Sequence, residues 1–271
     1  MFETAAPGAD FRMTSLARMA QGGKWRVEAM RSYARPLLLW FTRGQGRITV
    51  AGVTRGYGPH NAVYIPAGTM HGFDMVGTVH GQAIFFPRGV DLGLPAQSLH
   101  LRLRDATVQA EITALVDAME RELNRAQPGM DRALFHHAGL VAVWLERQAA
   151  MGTADDRPRA AVRLAEAYAS LVERDFRTGK GVADFAADLG VTPTHLSRVC
   201  NQTCGRPAHG LLQDRILFEA RRLLRETPLP VKDVAQTLGF TSAAYFTRAF
   251  QAHTGVTPSD FRAASDRPTP R

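Results

Sequence analysis

Hydrophobic residues in the first hundred positions come in short runs that glycines separate. The apolar runs cover residues 36–41, 47–50, 62–65 and 82–86. Strands of about 4–6 residues with turn signals every 8–12 residues are typical of a sandwich or a small barrel. The pattern therefore predicts a β-rich domain over residues 1–104.

A helical period replaces the β pattern from Asp105 onward. Apolar side chains recur at i, i+3, i+4 and i+7 over 107–124, and a second helix is expected over 131–148. The run MGTADDRPRA at 151–160 is typical of an exposed linker. The chain is expected to be α+β, with a β domain 1–104, a helical hairpin 105–151, a linker 152–160, an all-α domain 161–264 and a flexible tail 265–271.

Two segments in the last third of the chain resemble each other. VADFAADLGVTPTHLSRVCNQTCG begins at Val182, and VKDVAQTLGFTSAAYFTRAFQAHTG begins at Val231. Each segment predicts a short helix, a turn containing glycine and a second helix. Gly190 and Gly239 occupy the same place in the two turns, where a tight turn needs a positive φ. This is the pattern of a helix-turn-helix, although a single copy would equally suit an αα-hairpin used only for packing.

The segment Pro228–Arg262 closely resembles the signature of the AraC/XylS transcription regulators. The matching pieces are VAQTLGF, YFTRAF and the closing GVTPSDFR, and the upstream copy matches as well. The resemblance covers about residues 160–262 and departs from the family at Cys200, where an aromatic core residue is usual. It implies two helix-turn-helix units joined by a long helix, each unit reading one of two successive major-groove segments. Arg215, Arg221 and Arg222 are expected to support the linking helix or to contact backbone phosphates.

The resemblance also places the residues that would read DNA on the second helix of each unit. Arg198 and Arg248 suit the O6 and N7 atoms of a guanine, and their alternatives are phosphate contact or a solvated side chain. Ala243 and Ala244 offer only apolar contact, for instance to a thymine methyl. The expected DNA-binding residues are Thr192, Pro193, Thr194, Ser197, Arg198, Ser242, Ala243, Ala244, Thr247 and Arg248.

A second, shorter resemblance lies in the β domain. IPAGTMHGF at 65–73 is similar to the P-x-G-x-x-H strand motif of cupin barrels, and cupin-like sensor domains are common in the AraC/XylS family. Cupin enzymes hold a metal with further His and Glu ligands, but the corresponding stretch 31–46 contains neither. We therefore expect no metal and no cofactor, while residual metal binding by His60, His71 and His80 stays open.

A barrel without metal ligands has room for an organic effector. Arg31 and Arg35 lie near the vacated ligand positions, and arginine pairs well with a carboxylate. We expect a small effector, aromatic or acidic. The alternatives are barrel core for the aromatic residues and an exposed strand edge for the arginines. The candidate effector residues are Arg31, Arg35, Trp40, Tyr64, His71, Phe73 and Phe85.

The two helices that follow the β domain carry long apolar stripes. Paired helices are also where relatives form dimers, so a homodimer is expected. The rival interpretation is that the whole stripe packs inside one chain. The candidate dimerisation residues are Leu134, Val141, Trp144 and Leu145.

Composition and charge agree with a DNA-binding protein. The chain carries 33 Lys and Arg against 25 Asp and Glu, a net charge of +8, which favours an anionic partner. Only two cysteines are present, too few for a disulfide framework. No apolar run is long enough to cross a membrane, and the N-terminus lacks a secretory pattern, so a cytoplasmic location is expected.

The favoured function is an effector-responsive transcription regulator, an activator, and not an enzyme. Its expected partners are double-stranded promoter DNA, a small organic effector, RNA polymerase and a second copy of the chain. One alternative is a constitutive DNA binder whose barrel only dimerises or docks a partner. The other is a cupin metalloenzyme fused to a DNA-binding tail.

Overall fold

The computed structural model describes residues 10–151 and 159–265. Most of the expected linker, residues 152–158, and the expected tail beyond Ser265 lie outside this description. The strands are β1 (Arg12–Ser15), β2 (Leu37–Val50), β3 (Val53–Tyr57), β4 (Asn61–Ile65), β5 (His71–Phe73), β6 (Val76–Phe85) and β7 (Leu99–Arg102). The helices are α1 (Leu16–Met19), α2 (Trp25–Glu28), α3 (Ala106–Arg125), α4 (Met130–Met151), α5 (Arg159–Asp175), α6 (Val182–Asp188), α7 (Pro193–Cys204), α8 (Ala208–Glu226), α9 (Val231–Thr237), α10 (Ala243–Thr254) and α11 (Pro258–Ser265).

The β domain is organised around the long strand β2. The first half of β2 pairs with β4 and β6, and its second half pairs with β3 and β5, always antiparallel. The main order is β1-β6-β2-β4-β7. In the pairings of the described strands, β1 and β7 end this order and the sheet does not close. The mixed helix and sheet fold is confirmed, but the cupin-like barrel is not.

Residues 37–41 of β2 are buried on both faces of the sheet. Successive side chains of a strand point to opposite faces, so these residues enter two different cores. Leu37, Leu39 and Phe41 enter one core, which the β domain forms by itself. Leu38 and Trp40 enter a second core beneath the hairpin of α3 and α4. This explains why the run 36–41 is continuously apolar instead of alternating.

The hairpin of α3 and α4 turns its apolar stripe toward its own sheet. Leu134, Val141, Trp144 and Leu145 are all buried in the second core, against strand residues of the same chain. Their assignment as dimer contacts is therefore wrong, and the rival intramolecular interpretation is correct for these four residues. The outer side of α4 instead exposes Leu140 and Val143, at 54% and 41%.

The C-terminal region is entirely helical from α5 to α11. Helices α6 and α7 form the first unit, and α9 and α10 form the second. Helix α8 joins them, and side chains from both units and from α8 share one continuous apolar core. The two units are therefore held in one arrangement by packing as well as by the chain.

The β domain packs directly against this helical region. Met30 and Met70 belong to the C-terminal core, and the Thr54 hydroxyl donates to the Cys204 carbonyl at 3.3 Å. Trp25 lies on two aromatic rings of the other region, with centroids at 5.7 Å from Phe218 and 6.1 Å from Phe261. The contacts reach α7 of the first unit, the joining helix α8 and the last helix α11.

No helix within residues 10–151 and 159–265 is long and apolar enough to span a membrane.

Candidate nucleic-acid interface

The second helices of the two units, α7 and α10, are built in the same way. Each has twelve residues. The Thr192 hydroxyl caps α7 by accepting from the His195 amide at 3.2 Å, and the Ser242 hydroxyl caps α10 by accepting from the Tyr245 amide at 3.4 Å. Pro193 fills the first turn of α7, where its missing N–H leaves no bond unmade. Local sequence alone therefore defines where both helices begin.

The turns before these helices also match. Gly190 has φ +66° and Gly239 has φ +78°, a conformation that favours glycine. In the first turn the Val191 amide donates to the Ala186 carbonyl, and in the second the Phe240 amide donates to the Ala235 carbonyl, both at 3.0 Å. The two segments that resemble each other in sequence therefore also have the same backbone geometry in their turns.

Most of the expected reading residues face solvent. Thr192, Pro193, Thr194 and Arg198 are exposed in the first unit, and Ser242, Ala244 and Arg248 are exposed in the second. Ser197, Ala243 and Thr247 are half-buried. Leu196, Cys200, Phe246 and Phe250 point the other way, into the shared core. One face of each helix is therefore available to DNA, and the opposite face holds the fold.

Arg198 is oriented by a neighbour one helical turn earlier. Its Nη2 lies 3.1 Å from the Nδ1 of His195. Arginine only donates hydrogen bonds, so His195 accepts through Nδ1 and carries its proton on Nε2. This contact directs the guanidinium along the exposed side of α7.

Two residues of these helices, half-buried His195 and exposed Tyr245, were missed by the sequence interpretation. His195 and Tyr245 occupy equivalent positions, three residues before Arg198 and Arg248. Tyr245 is 56% exposed, and its ring lies 5.8 Å from that of Phe240. The offset of 50 that pairs the two arginines also pairs these residues, and it was the signal that could have found them.

A partly buried ionic network connects α5 and the residues after it to α8. Arg215 of α8 bonds both oxygens of Glu173 on α5, at 2.6 and 3.0 Å. Arg177 and Arg222 both bond Glu219, at 2.5 and 2.7 Å. Arg215 and Arg222 therefore support the linker helix, one of the two roles that the sequence left open for them.

Glu219 is charged in the folded protein. Burial raises the pKa of its carboxyl, but the hydrogen bonds and charges of Arg222, Arg215 and Arg177 outweigh burial and lower the pKa to about 2. The network is consequently complete at neutral pH.

The cysteines of α7 are part of the core. Cys200 and Cys204 are buried and free, and burial raises the pKa of the Cys200 thiol to about 12. The Cys204 thiol donates to the Cys200 carbonyl at 3.1 Å. Both behave as small apolar residues of the core.

The structure divides the candidate effector residues between the two faces of the sheet. Trp40 and Tyr64 lie beneath the hairpin of α3 and α4. Phe73 lies in the other core, and Phe85 packs on its edge. The set does not form one pocket, and only Arg31, His71 and Phe73 come together.

Neither arginine of this set lies on an exposed edge, so that alternative is wrong. Arg35 donates to the backbone and to the carboxylate of Asp10, at 2.8 and 2.6 Å. Arg31 is fully buried, with its guanidinium 5.5 Å from the Phe73 ring and its Nη1 donating to the Val27 carbonyl at 2.6 Å. Arg31 thereby ties the segment around α2 to the sheet.

His71 lies directly beside Arg31. The two residues form an antiparallel bridge with backbone bonds of 2.9 and 2.7 Å, so their side chains are neighbours. Burial, together with the charge of Arg31, lowers the pKa of His71 to about 3, and the ring is neutral. Its Nδ1 donates to the Thr69 carbonyl at 2.8 Å, which leaves a lone pair on Nε2. Both this Nε2 and Arg31 Nη2 are buried without a hydrogen-bond partner.

No group of three or more His, Cys, Asp or Glu within the described residues is placed to hold a metal ion. This gives no support to residual metal binding by His60, His71 and His80.

Comparison with known proteins matches the C-terminal region to regulators. A family model described as a helix-turn-helix domain matches residues 185–264. The chain is 34% identical over 84 residues to the "Probable transcription factor PqrA" of Proteus vulgaris, a match that covers 31% of this chain and 69% of PqrA. It is 32% identical over 85 residues to the arabinose operon regulatory protein of Escherichia coli, covering 31% of this chain and 29% of that regulator.

The match to the arabinose operon regulators thus spans less than a third of their length. Among solved structures, ToxT of Vibrio cholerae O395 aligns with a TM-score of 0.39 at 13% identity, covering 94% of this chain and 98% of ToxT. The shared helix-turn-helix region and the extent of the PqrA match show that this chain belongs to the AraC/XylS family of transcription regulators.

Proposed function

We propose that the protein activates transcription by binding one promoter segment with both helix-turn-helix units of a chain. The observation that carries this proposal is the equivalence of α7 and α10, which have matching caps, turns and exposed arginines and share one core. Because α7, α8 and α10 pack in the same core, the two helices are held in place relative to each other. They would read major-groove segments about 34 Å apart along the duplex.

The base readers in this proposal are Arg198 and Arg248. Each is exposed and follows the cap by six residues, so each reaches beyond the first helical turn. A bidentate contact to guanine contributes about 1–3 kcal/mol of discrimination. Ser197 and Thr247, which are half-buried, would contact a base edge or a phosphate.

A DNA-binding assay of the full chain tests the proposal. The DNA is the region upstream of its own gene and the neighbouring promoters, measured at two salt concentrations. Arg198→Ala and Arg248→Ala should each weaken binding to the preferred segment by about 5–100-fold and relax base preference at one position. Arg132→Ala, an exposed arginine on α4, is the matched control and should bind as the unchanged protein does.

Binding without sequence preference that collapses at the higher salt would contradict the proposal, since it would show attraction to the phosphate backbone alone. Equal losses for Arg132→Ala and Arg198→Ala would contradict the assignment of the readers.

We also propose that a small organic effector bearing an oxygen group binds at Arg31 and His71. The supporting observation is the pair of buried polar atoms without partners, Arg31 Nη2 as a donor and His71 Nε2 as an acceptor. A hydroxyl group satisfies both, and a carboxylate satisfies Arg31 and balances its buried charge. The effector would shift the population between two arrangements of the β domain on the reading units.

Calorimetric titration with benzoate and 4-hydroxybenzoate tests this effector site. The hydroxybenzoate should bind to the unchanged protein and lose at least about tenfold in affinity in Arg31→Gln, because a charge-assisted bond is removed. No heat from either acid would contradict the aromatic-acid version of the proposal.

We further propose a homodimer in which α4 meets its copy through Leu140 and Val143, the apolar side chains that the hairpin leaves exposed. The association is measured by comparing the sedimentation of the unchanged full chain with that of the Val143→Glu variant. In this proposal the β domain is a cupin-like sensor. The promoter-bound dimer acts on RNA polymerase, in the cytoplasm.

A further inference from the structure

A groove of about 370 Å³ lies at the edge of the second core, where Trp40 and Val116 line it. One wall is formed by β2 and β6, and the facing wall by α3, with the start of α1 at one end. Its volume is at the lower end of the range for small-molecule pockets. The groove is distinct from the Arg31–His71 pair, neither of which lines it.

The wall formed by α3 is acidic. Asp117 and Glu120 are three residues apart on this helix, so they share one face about 5–6 Å apart. None of the described residues that line the groove is Lys or Arg. Such a lining is unusual for a chain with a net charge of +8, and it selects for a positively charged occupant.

The opposite wall supplies a second, independent feature. Trp40 is 2% exposed, and its indole Nε1 has no hydrogen-bond partner. Trp40 pairs with Gln82 across β2 and β6, so both side chains leave the sheet on the side of α3. The Gln82 side chain extends to α3, where its amide donates to Glu120 at 3.0 Å. One wall of the groove therefore contains a buried indole with an unused N–H donor, and the other contains two carboxylates, of which Glu120 already accepts from Gln82.

The chemistry of this lining favours an organic cation over a metal ion. His80 is the remaining titratable side chain in the lining, and it does not form a metal-binding group with Asp117 and Glu120. An indole attracts ammonium groups through its π face, and its N–H needs an acceptor on the ligand. We propose that the groove between β2, β6 and α3 binds a small organic amine that also carries an oxygen acceptor.

The ammonium would lie between Asp117 and Glu120, and the oxygen would accept from Trp40 Nε1. This inference goes beyond the proposed function, because binding requires neither DNA nor the Arg31–His71 pair.

Calorimetric titration of the full chain with two amines and their uncharged analogues provides the test. Choline is compared with 3,3-dimethyl-1-butanol, and tyramine with 4-hydroxyphenylethanol, all at constant ionic strength. At least one amine should bind saturably with one site per chain. Its uncharged analogue should bind at least about tenfold more weakly, since it lacks both the charge pairing and the cation–π attraction.

Three variants locate the site. Asp117→Asn and Glu120→Gln should each weaken amine binding by about 3–10-fold, because each removes one partly solvated negative charge. Trp40→Phe keeps an aromatic ring but deletes the N–H, and it should weaken binding several-fold. Glu111→Gln, an exposed carboxylate on the same helix outside the groove, is the control and should bind like the unchanged protein.

Absence of saturable binding by both amines overturns the proposal. So does equal binding of an amine and its uncharged analogue, or an equal loss in Glu111→Gln and Asp117→Asn. DNA binding measured on the same samples separates this proposal from the proposed function, since the groove variants leave Arg198 and Arg248 intact.

Discussion

Glu173 and Arg215 form a buried ion pair that joins two parts of the molecule. The Arg215 guanidinium bonds both Glu173 oxygens at 2.6 and 3.0 Å, and the Ser32 hydroxyl of the β domain donates to one of them at 2.6 Å. One carboxylate thus connects α5, the linker helix α8 and the β domain. It is one of several contacts that hold the β domain on the helical region.

Removal of the Glu173 charge should destabilise the protein. In Glu173→Gln, the buried Arg215 loses its nearest negative charge, and Glu219 at 3.4 Å is the ion-pair partner that remains among the described residues. We expect a loss of about 2–3 kcal/mol in the free energy of unfolding in urea. Glu146→Gln, an exposed carboxylate on α4, is the control and should stay within about 0.5 kcal/mol. Similar losses in the two variants would contradict the role of the pair.

The protein should lose stability in acid through Glu219. Its pKa of about 2 lies below the value of an unfolded glutamate, so its contribution is present above about pH 4.5 and is lost as pH falls toward 2. The slope from this one group approaches about 1.4 kcal/mol per pH unit. Urea unfolding across this range should show a steeper slope for the unchanged protein than for Glu219→Gln. Identical slopes would show that Glu219 is not the responsible group.

The two turn glycines should respond differently to alanine. Both have a positive φ, which costs about 1–2 kcal/mol for alanine. A Cβ at Gly190 meets open space, whereas a Cβ at Gly239 would lie 2.6 Å from the Arg177 carbonyl and closer still to the Gly179 nitrogen. Gly239→Ala should therefore lower the free energy of unfolding by at least about 1 kcal/mol more than Gly190→Ala. Equal effects would show that the backbone around Gly179 yields freely.

His195 should contribute to DNA reading through Arg198. Because Arg198 Nη2 bonds His195 Nδ1, His195→Ala frees the guanidinium to occupy other rotamers. We expect a loss of about 2–5-fold in affinity for the preferred promoter segment, from one hydrogen bond of about 0.5–1 kcal/mol. In the Arg198→Ala background the same change should have little further effect. An equal loss in both backgrounds would mean that His195 contacts DNA independently.

The helix-turn-helix units could be located from sequence because their signals are local. The signals are a capping residue at Thr192 or Ser242, a turn containing glycine and the apolar period of the helix. Each depends on residues a few positions apart, and each occurs in both repeated segments. The second helix predicted in each repeated segment corresponds to α7 in the first unit and α10 in the second. The exposed positions of these helices follow from the same period.

The β domain was harder to predict because its contacts are distant in sequence. The hydrophobic period of α4 predicted an apolar stripe, but it does not indicate whether the sheet or a second chain covers that stripe. In the structure, Trp144 and Leu145 of the stripe are buried against the sheet. The sequence also left Arg31 as an effector ligand or an edge residue. Its burial depends on α2 folding back onto the sheet near His71.

The sequence by itself determined the regulator family, the paired reading helices and the order of the β and α regions. It could do so because helix caps, turns and hydrophobic periods depend on residues close together in the chain. Only the tertiary structure decided what covers each apolar face and which polar groups meet. Thus Trp40 faces α3 and Asp117, and Glu173 meets Arg215 and Ser32. These relationships depend on packing between segments far apart in the chain, where burial and pairing over the whole fold outweigh local preference.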